Sequence, residues 1–230
     1  MLAQVVLRDR SQATCESKNG FCPEWIKDNI GDYVDPLVRH VELTVSAVTC
    51  GFVIAMALAL LARERRGLVG PIVGVTGVMY VIPSLSLFGL LLPITGFGFV
   101  TALIALTSYT LLILFRNIIT GLDGVPAEAR DAAQGMGLTD RQLLWRVELP
   151  LALPAIFAGL RIATTTTVGL ASLAFFAGAG GLGQQINTDI NFKSNVAVAG
   201  ALCILLAIAL ELLLLLAERI TVPWSRTARA

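Results

Sequence analysis

The chain has 230 residues, 56% hydrophobic and 14% charged, with 17 Lys and Arg against 16 Asp and Glu. Soluble domains carry about 25% charged residues, so a mean hydropathy of +0.78 excludes an ordinary soluble globule. A net charge of +1 with no basic tract leaves no electrostatic footprint for nucleic acid.

Residues 1–39 form a tail with charges throughout and no apolar core, so no secretory signal is read here. The first apolar run is expected to act as the membrane-insertion signal. Within the tail, Trp25, Ile26, Ile30, Tyr33, Val34, Leu37 and Val38 recur at helical spacing, with Asp28, Asp32, Asp35 and Arg39 filling much of the other face. This pattern predicts an amphipathic helix that lies either in the membrane interface or on the protein's own outer surface. Cys15 and Cys22 can pair in an oxidising compartment or stay free. His40, the single histidine, is expected at headgroup level at the edge of the first span.

A bilayer crossing needs roughly 20 mostly apolar residues. Five stretches qualify, at about 41–62, 69–92, 99–119, 155–177 and 196–217. In the second, Gly70, Gly74 and Gly77 are spaced to let a neighbouring helix approach closely. Pro83 removes a backbone donor and is expected to kink that span. Tyr80, Pro83 and Ser84 therefore read as the wall of a translocation path or as part of a kinked packing helix. In the fourth span, Thr164 and Thr167 share a weakly polar face that suits a path wall and helix packing equally. Arg161 in the fourth span and Glu211 in the fifth each lie about 10 Å deep at 1.5 Å per residue. A lone charge there costs roughly 2.5–3.5 kcal/mol on insertion scales, so the two are expected to pair, with Arg116 as the competing partner. Cys50 and Cys203 lie within spans and read as small apolar residues.

Arginines set the orientation. Arg63, Arg65 and Arg66 follow the first span, Arg116, Arg130, Arg141 and Arg146 lie between the third and fourth, and Arg219, Arg226 and Arg229 follow the fifth. Basic residues collect on the cytoplasmic side, which predicts an N-terminus outside and a C-terminus inside. Lys27 and Arg39 weaken the bias from the outer side. The chain has no H-E-x-x-H, C-x-x-C or G-x-S-x-G pattern and no G-x-x-x-x-G-K-[ST] phosphate loop. Metal-dependent or hydrolytic chemistry is not expected, and any dependence on ATP must come from a partner.

Between the third and fourth spans lies DAAQGMGLTDRQLLWRVELP, residues 131–150, which reads as two short water-soluble helices. Pro126 suits a first helical turn, and Glu128 and Asp131 suit its positive end. Gly135 and Gly137 end that helix. Thr139 caps the next, with Gln142 placed to complete a capping box, and Pro150 is expected to end it. Two short helices with apolar patches outside lipid are shaped to fill another protein's groove.

These residues resemble the permease subunits of ABC importers, whose loop has the form E-A-A, three residues, G, nine residues, I-x-L-P. Here Asp131-Ala132-Ala133, Gly137 and Val147-Glu148-Leu149-Pro150 keep that spacing, with Asp131 in place of Glu and Val147 in place of Ile. IPSLSLFGLLLPITGFG, FRNIITGLDGV and ELPLALPAIFAGLRIA followed by AGAGGLG are similar to the osmoprotectant branch, over roughly residues 40–217. The resemblance implies an all-α, five-span type I permease domain at 40–217, an extracytoplasmic tail at 1–39, a cytoplasmic coupling loop at 123–150 and a cytoplasmic tail at 218–230. It implies that Asp131, Ala132, Ala133, Gly137, Leu143, Val147, Leu149 and Pro150 couple to cytoplasmic ATPase subunits, which hold the ATP and Mg, while this chain binds no cofactor. It further implies a second permease chain, the same or a paralogue, and an extracytoplasmic solute-binding protein that delivers glycine betaine, choline or carnitine across a bacterial inner membrane. A methionine-type amino-acid permease is the alternative, and an ATP-independent carrier or channel the weaker one.

Overall fold

The computed structural model describes Cys15 and residues 19–223. Arg226 and Arg229, two of the orientation markers, lie outside the described residues. Among the described residues there is no strand. A bilayer offers the backbone no water to bond, so an apolar chain that crosses it must satisfy its amides internally, and helices do so.

A short helix α1 (Pro23–Asn29) and a 3-10 turn (Ile30–Tyr33) lead into α2 (Val34–Glu64), the first span. The next is split into α3 (Val69–Val81) and α4 (Ser84–Thr95), bent by 98°. The core helix α5 (Phe99–Asp123) follows, then the loop helices α6 (Ala127–Gly135) and α7 (Asp140–Leu143). α8 (Leu149–Ala171), a short α9 (Leu182–Thr188) and α10 (Lys193–Thr221) complete the fold. Among the described residues four helices are long and apolar enough to span, and taking the bent pair as one broken span makes five.

The second span is broken rather than kinked. Proline restricts the residue before it to extended backbone, and Ile82 stands at φ −60°, ψ 126°, with Pro83 itself at ψ 134°. The Tyr109 hydroxyl donates to the freed Ile82 carbonyl at 2.5 Å. The fourth span also differs from expectation: its α-helix covers 149–171, and Ala174–Ala177 form a 3-10 turn. The Gly98 N–H, at the start of α5, bonds to the Ala177 carbonyl at 2.6 Å.

Among the described residues, buried side chains form two large clusters and a small one of Tyr33, Leu182 and Ala199. One large cluster gathers Leu43, Ala47, Phe88, Leu106 and Tyr109, and the other Ala59, Phe115, Ile118, Ala152 and Ile156. Close approach depends on glycine, but at positions other than the row in α3. A Cβ on Gly70, Gly74 or Gly77 would meet nothing within 4 Å, because α3 turns Val69, Ile72, Val73 and Thr76 toward the core instead. The tight contacts lie at Gly51, where a Cβ would stand 1.8 Å from Thr110 Oγ1, at Gly159 against Asn117, and at Gly183 against the Ser172 carbonyl.

The described part of the tail, Cys15 and residues 19–39, folds onto the protein's own surface. A disulfide joins Cys15 to Cys22. The Cys22 N–H donates to Ser194 Oγ at 2.6 Å, and the Tyr33 hydroxyl donates to Asn195 Oδ1 at 2.6 Å. Trp25 meets Phe192 edge to face. His40 is fully buried within the protein rather than presented on its surface as an interfacial side chain. The Leu182 N–H donates to its Nδ1 at 3.3 Å, so Nε2 carries the proton and donates to the Val168 carbonyl at 3.0 Å. One side chain thus ties α2 to α8 and to the start of α9.

Glycine at 183 is required by backbone contact, whereas glycine at 74 is not. Gly183→Ala is expected to lower the thermal unfolding midpoint of the purified chain, with an overpacking cost of about 1–3 kcal/mol, while Gly74→Ala leaves it unchanged or slightly raised. Equal midpoints for the two variants would contradict this packing.

Candidate functional site

The loop between α5 and α8 is built by local sequence. α6 ends where Gly137, at φ 81°, takes a left-handed conformation that side chains disfavour. The Leu138 N–H then bonds back to the Ala133 carbonyl at 3.2 Å. Thr139 caps α7 in a reciprocal box: the Gln142 N–H donates to Thr139 Oγ1 at 3.4 Å, and the Thr139 N–H donates to Gln142 Oε1 at 3.0 Å.

Pro150 does not end this helix. Leu144–Glu148 form a π turn that runs straight into α8, with Pro150 in the first turn of α8. The Leu149 N–H bonds to the Leu144 carbonyl, five residues back. That wider register moves aside the carbonyl that a proline ring would strike in a regular helix. The loop and the fourth span are therefore one continuous helical body.

A buried carboxylate fastens the loop to the first span. Glu148 is 5% exposed. Its Oε2 accepts from Arg63 Nε at 2.6 Å, at the end of α2, and its Oε1 accepts from Arg130 Nε at 3.0 Å, on α6. Arg130 also donates to the Leu122 carbonyl at 2.6 Å, and Arg66 pairs with Asp123. Around these groups is a polar cavity of about 350 Å³, which Gln134 and Asp140 also line. Nothing in the motif spacing marks Glu148, which occupies a free position between Val147 and Leu149. The available signal was a carboxylate set among apolar residues at the start of a span, which needs a cationic partner.

The loop residues singled out by sequence divide into two groups. Ala133 and Leu143 are buried within the chain and hold the loop together, and Val147, Leu149 and Pro150 are half-buried. Asp131, Ala132 and Gly137 are exposed. The large apolar side chains of the loop that face outward are Met136, 74% exposed, and Trp145, 59% exposed; both fall on free positions of the motif.

The span residues do not gather in one place. Tyr80, Pro83 and Ser84 surround the α3–α4 break, with Tyr80 edge to face against Tyr109. Thr164 and Thr167 are buried on α8, where the Thr167 hydroxyl bonds to its own helix at the Ala163 carbonyl, 2.6 Å away. Arg161 Nε donates to Glu211 Oε1 at 2.7 Å, and Arg161 Nη1 stands 3.6 Å from Glu218 Oε2. Arg116 is exposed and is not among their partners. Among the described residues no group of His, Cys, Asp and Glu is placed to hold a metal ion.

The pattern of a known family, the binding-protein-dependent transport system inner membrane component, matches residues 47–225. The chain belongs to this family. It is 37% identical over 197 residues to the osmoprotectant import permease protein OsmW of Salmonella typhimurium, covering 83% of this chain and 92% of the relative. It is 34% identical over 203 residues to the choline transport system permease protein OpuBB of Bacillus subtilis, covering 87% and 93%. Among solved structures, an inward-facing MetNI methionine ABC transporter aligns with TM-score 0.69 at 25% identity, over 82% of this chain and 94% of that one. An amino acid ABC transporter aligns with TM-score 0.70 at 20% identity, which shows the shared type I importer fold. The site is thus that of a transport permease, an all-helical, membrane-embedded component.

Two outcomes follow for this permease. Removing the Glu148 carboxylate leaves two arginines facing each other, a loss on the order of 3 kcal/mol for a buried network. Glu148→Ala should speed amide hydrogen exchange across 127–148 while α5 keeps its protection; unchanged exchange in the loop would show that the tie is idle. Arg161 serves two carboxylates, so Arg161→Met should lower the unfolding midpoint more than Glu211→Gln does, and the reverse order would count against the shared pairing.

Proposed function

We propose that this permease forms the membrane path of an ATP-driven importer for a small osmoprotectant such as glycine betaine, choline or carnitine. The observation that carries the substrate class is the 37% identity to an osmoprotectant import permease across most of both chains. The likeness to a methionine transporter, at 25% identity, supports the shared fold and gives an amino-acid substrate less support.

On this reading the arginine-bearing end and the α6–α7 loop face the cytoplasm, and the disulfide-bearing tail faces outward, where thiols can oxidise. The exposed Ala132, Met136 and Trp145 fill a groove on a cytoplasmic ATPase subunit, which supplies the ATP and Mg sites. The buried Ala133 and Leu143 keep that surface in shape. ATP-driven closure of two ATPase subunits moves two permease chains, the same or paralogous, and the π turn and Glu148 pass the motion to α8 and α2. A solute-binding protein delivers substrate at the tail end. The path runs beside the α3–α4 break, where Tyr80, Pro83 and Ser84 stand. Thr164, Thr167 and the Arg161–Glu211 pair serve helix packing.

Gly137→Asp tests this reading. The substitution puts a charged side chain at a left-handed turn outside the spans. The spans should remain folded, the ATPase should no longer co-purify, and uptake of labelled glycine betaine into vesicles should fall to background. Normal uptake with the ATPase retained would remove the docking role from the loop. In the unmodified transporter, choline or carnitine should compete with glycine betaine and methionine should not.

A further inference from the structure

The uncovered faces of the fourth and fifth spans differ in kind. On α10 the exposed side chains include Ile204, Leu205, Ile208, Leu212, Leu213 and Leu216, an aliphatic surface that suits hydrocarbon. On α8 the uncovered face carries Ala158, Ile162, Thr165 and Gly169, three or four residues apart. Beside it the side chains of Arg161 and Glu211 are 31% and 27% exposed. Glu211 lies seven residues before Glu218 on the same helix, about 10 Å, so these charges stand within the span. Ionised groups at that depth face a water-filled space or other protein rather than lipid.

Arg161, Glu211, Ala158, Ile162 and Thr165 line a cavity of about 250 Å³. A cavity of roughly 150 Å³ already accepts benzene, so this one has room for a small organic ion. Its charges are only partly used. Both contacts from Arg161 to Glu211 fall on Oε1, which ties α8 to α10 and leaves Oε2 free of them. Arg161 Nη1 also stands 3.6 Å from Glu218 Oε2, so one positive charge is shared by two carboxylates. The Thr165 hydroxyl is spent on the Arg161 carbonyl, 3.0 Å away. An occupant therefore meets a carboxylate with spare capacity beside the apolar surfaces of Ala158 and Ile162.

We propose that this cavity receives the trimethylammonium group of the substrate, against the Glu211 carboxylate, as a second station on a path that passes the α3–α4 break. The assignment rests on the osmoprotectant reading above. A trimethylammonium group has no N–H to donate. It needs a negative field and apolar surface for its methyls, and the lining supplies both. An anion would meet a guanidinium already shared between two carboxylates, and an apolar solute would leave the charges without water. No aromatic ring is among the lining residues, so the contact lacks the cation–π attraction of a tight cage and suits a ligand in transit.

The test uses the reconstituted transporter with Cys50 and Cys203 replaced by serine. A single reporter is introduced as Ala158→Cys or Ile162→Cys, or as Leu212→Cys on the aliphatic face of α10. Two methanethiosulfonate reagents of similar size are compared, one ending in trimethylammonium and one in sulfonate, each rate divided by its rate with a small free thiol. Both should modify Ala158→Cys and Ile162→Cys, and neither should modify Leu212→Cys. The trimethylammonium reagent should be favoured roughly 2- to 5-fold, the range for one exposed charge contact, and adding Glu211→Gln should remove that preference. Excess choline should slow the modification and excess methionine should not. If Ala158→Cys and Ile162→Cys react no faster than Leu212→Cys, lipid or a second chain covers this face and the proposal is overturned. Equal rates for the two reagents, or equal protection by choline and methionine, would overturn it as well. Uptake by the unmodified transporter keeps the two readings apart. Glycine betaine uptake without choline protection would remove the site and keep the importer. Choline protection in vesicles that import methionine instead would keep the site and remove the substrate assigned to the importer.

Discussion

The Glu148 carboxylate lies between Arg63 at the end of the first span and Arg130 on the first loop helix, and the rest of this end of the molecule depends on it. A buried carboxylate with two guanidiniums and a backbone-anchored partner adds little net stability compared with well-packed apolar residues, because desolvation offsets most of the Coulomb gain. What it adds is geometry. Arginine forks fix direction as well as distance, so the loop cannot slide or rotate against the first span without leaving a charge unpaired. The π turn completes the fixation by making the loop and the fourth span one helical body. On the proposed reading the loop surface transmits movement and needs such stiffness, and the exposed Met136 and Trp145 are carried on it.

The opposite end is held by hydrogen bonds instead of a buried ion network. His40 bridges the Val168 carbonyl and the Leu182 N–H, Arg39 donates to the Ala179 carbonyl, and Tyr33 and Cys22 bond to Asn195 and Ser194. The Ala177–Gly183 run makes this possible: Gly178, Gly180 and Gly181 all have positive φ, and the loop lies close enough to α2 that a Cβ on Gly181 would stand 3.3 Å from the His40 ring. The disulfide-bearing tail is fastened to the same platform. One end of the spans is tied by a buried ion network and the other by hydrogen bonds, most of them between a side chain and the backbone.

Much of this was legible in the sequence. The apolar runs gave the spans because lipid leaves helices as the simplest way to satisfy a backbone. The capping box at Thr139 and the turn at Gly137 were readable because both rest on local chemistry. Four things were not. The π turn depends on accommodating Pro150 within a continuing helix, where proline ordinarily reads as a stop. The burial of His40 depends on a partner 142 residues away in the chain. The approach of helices at Gly51 and Gly159, rather than at the glycine row of α3, depends on which face each helix turns inward. The role of Glu148 depends on two arginines whose positions only the tertiary fold brings together. In the loop, motif spacing marked positions without separating Ala133 and Leu143, which turn inward, from Ala132, which faces out.

The central claim is that the loop and the loop end of the first span move as a single body. Spin labels placed at Met136→Cys and Arg65→Cys, both exposed positions, with Cys50 and Cys203 replaced by serine, report the distance between them in the reconstituted transporter. The account predicts one narrow distance distribution that is the same with and without Mg-ATP. A distribution that shifts or splits between the two nucleotide states would show that the loop moves independently of the first span, and would contradict it.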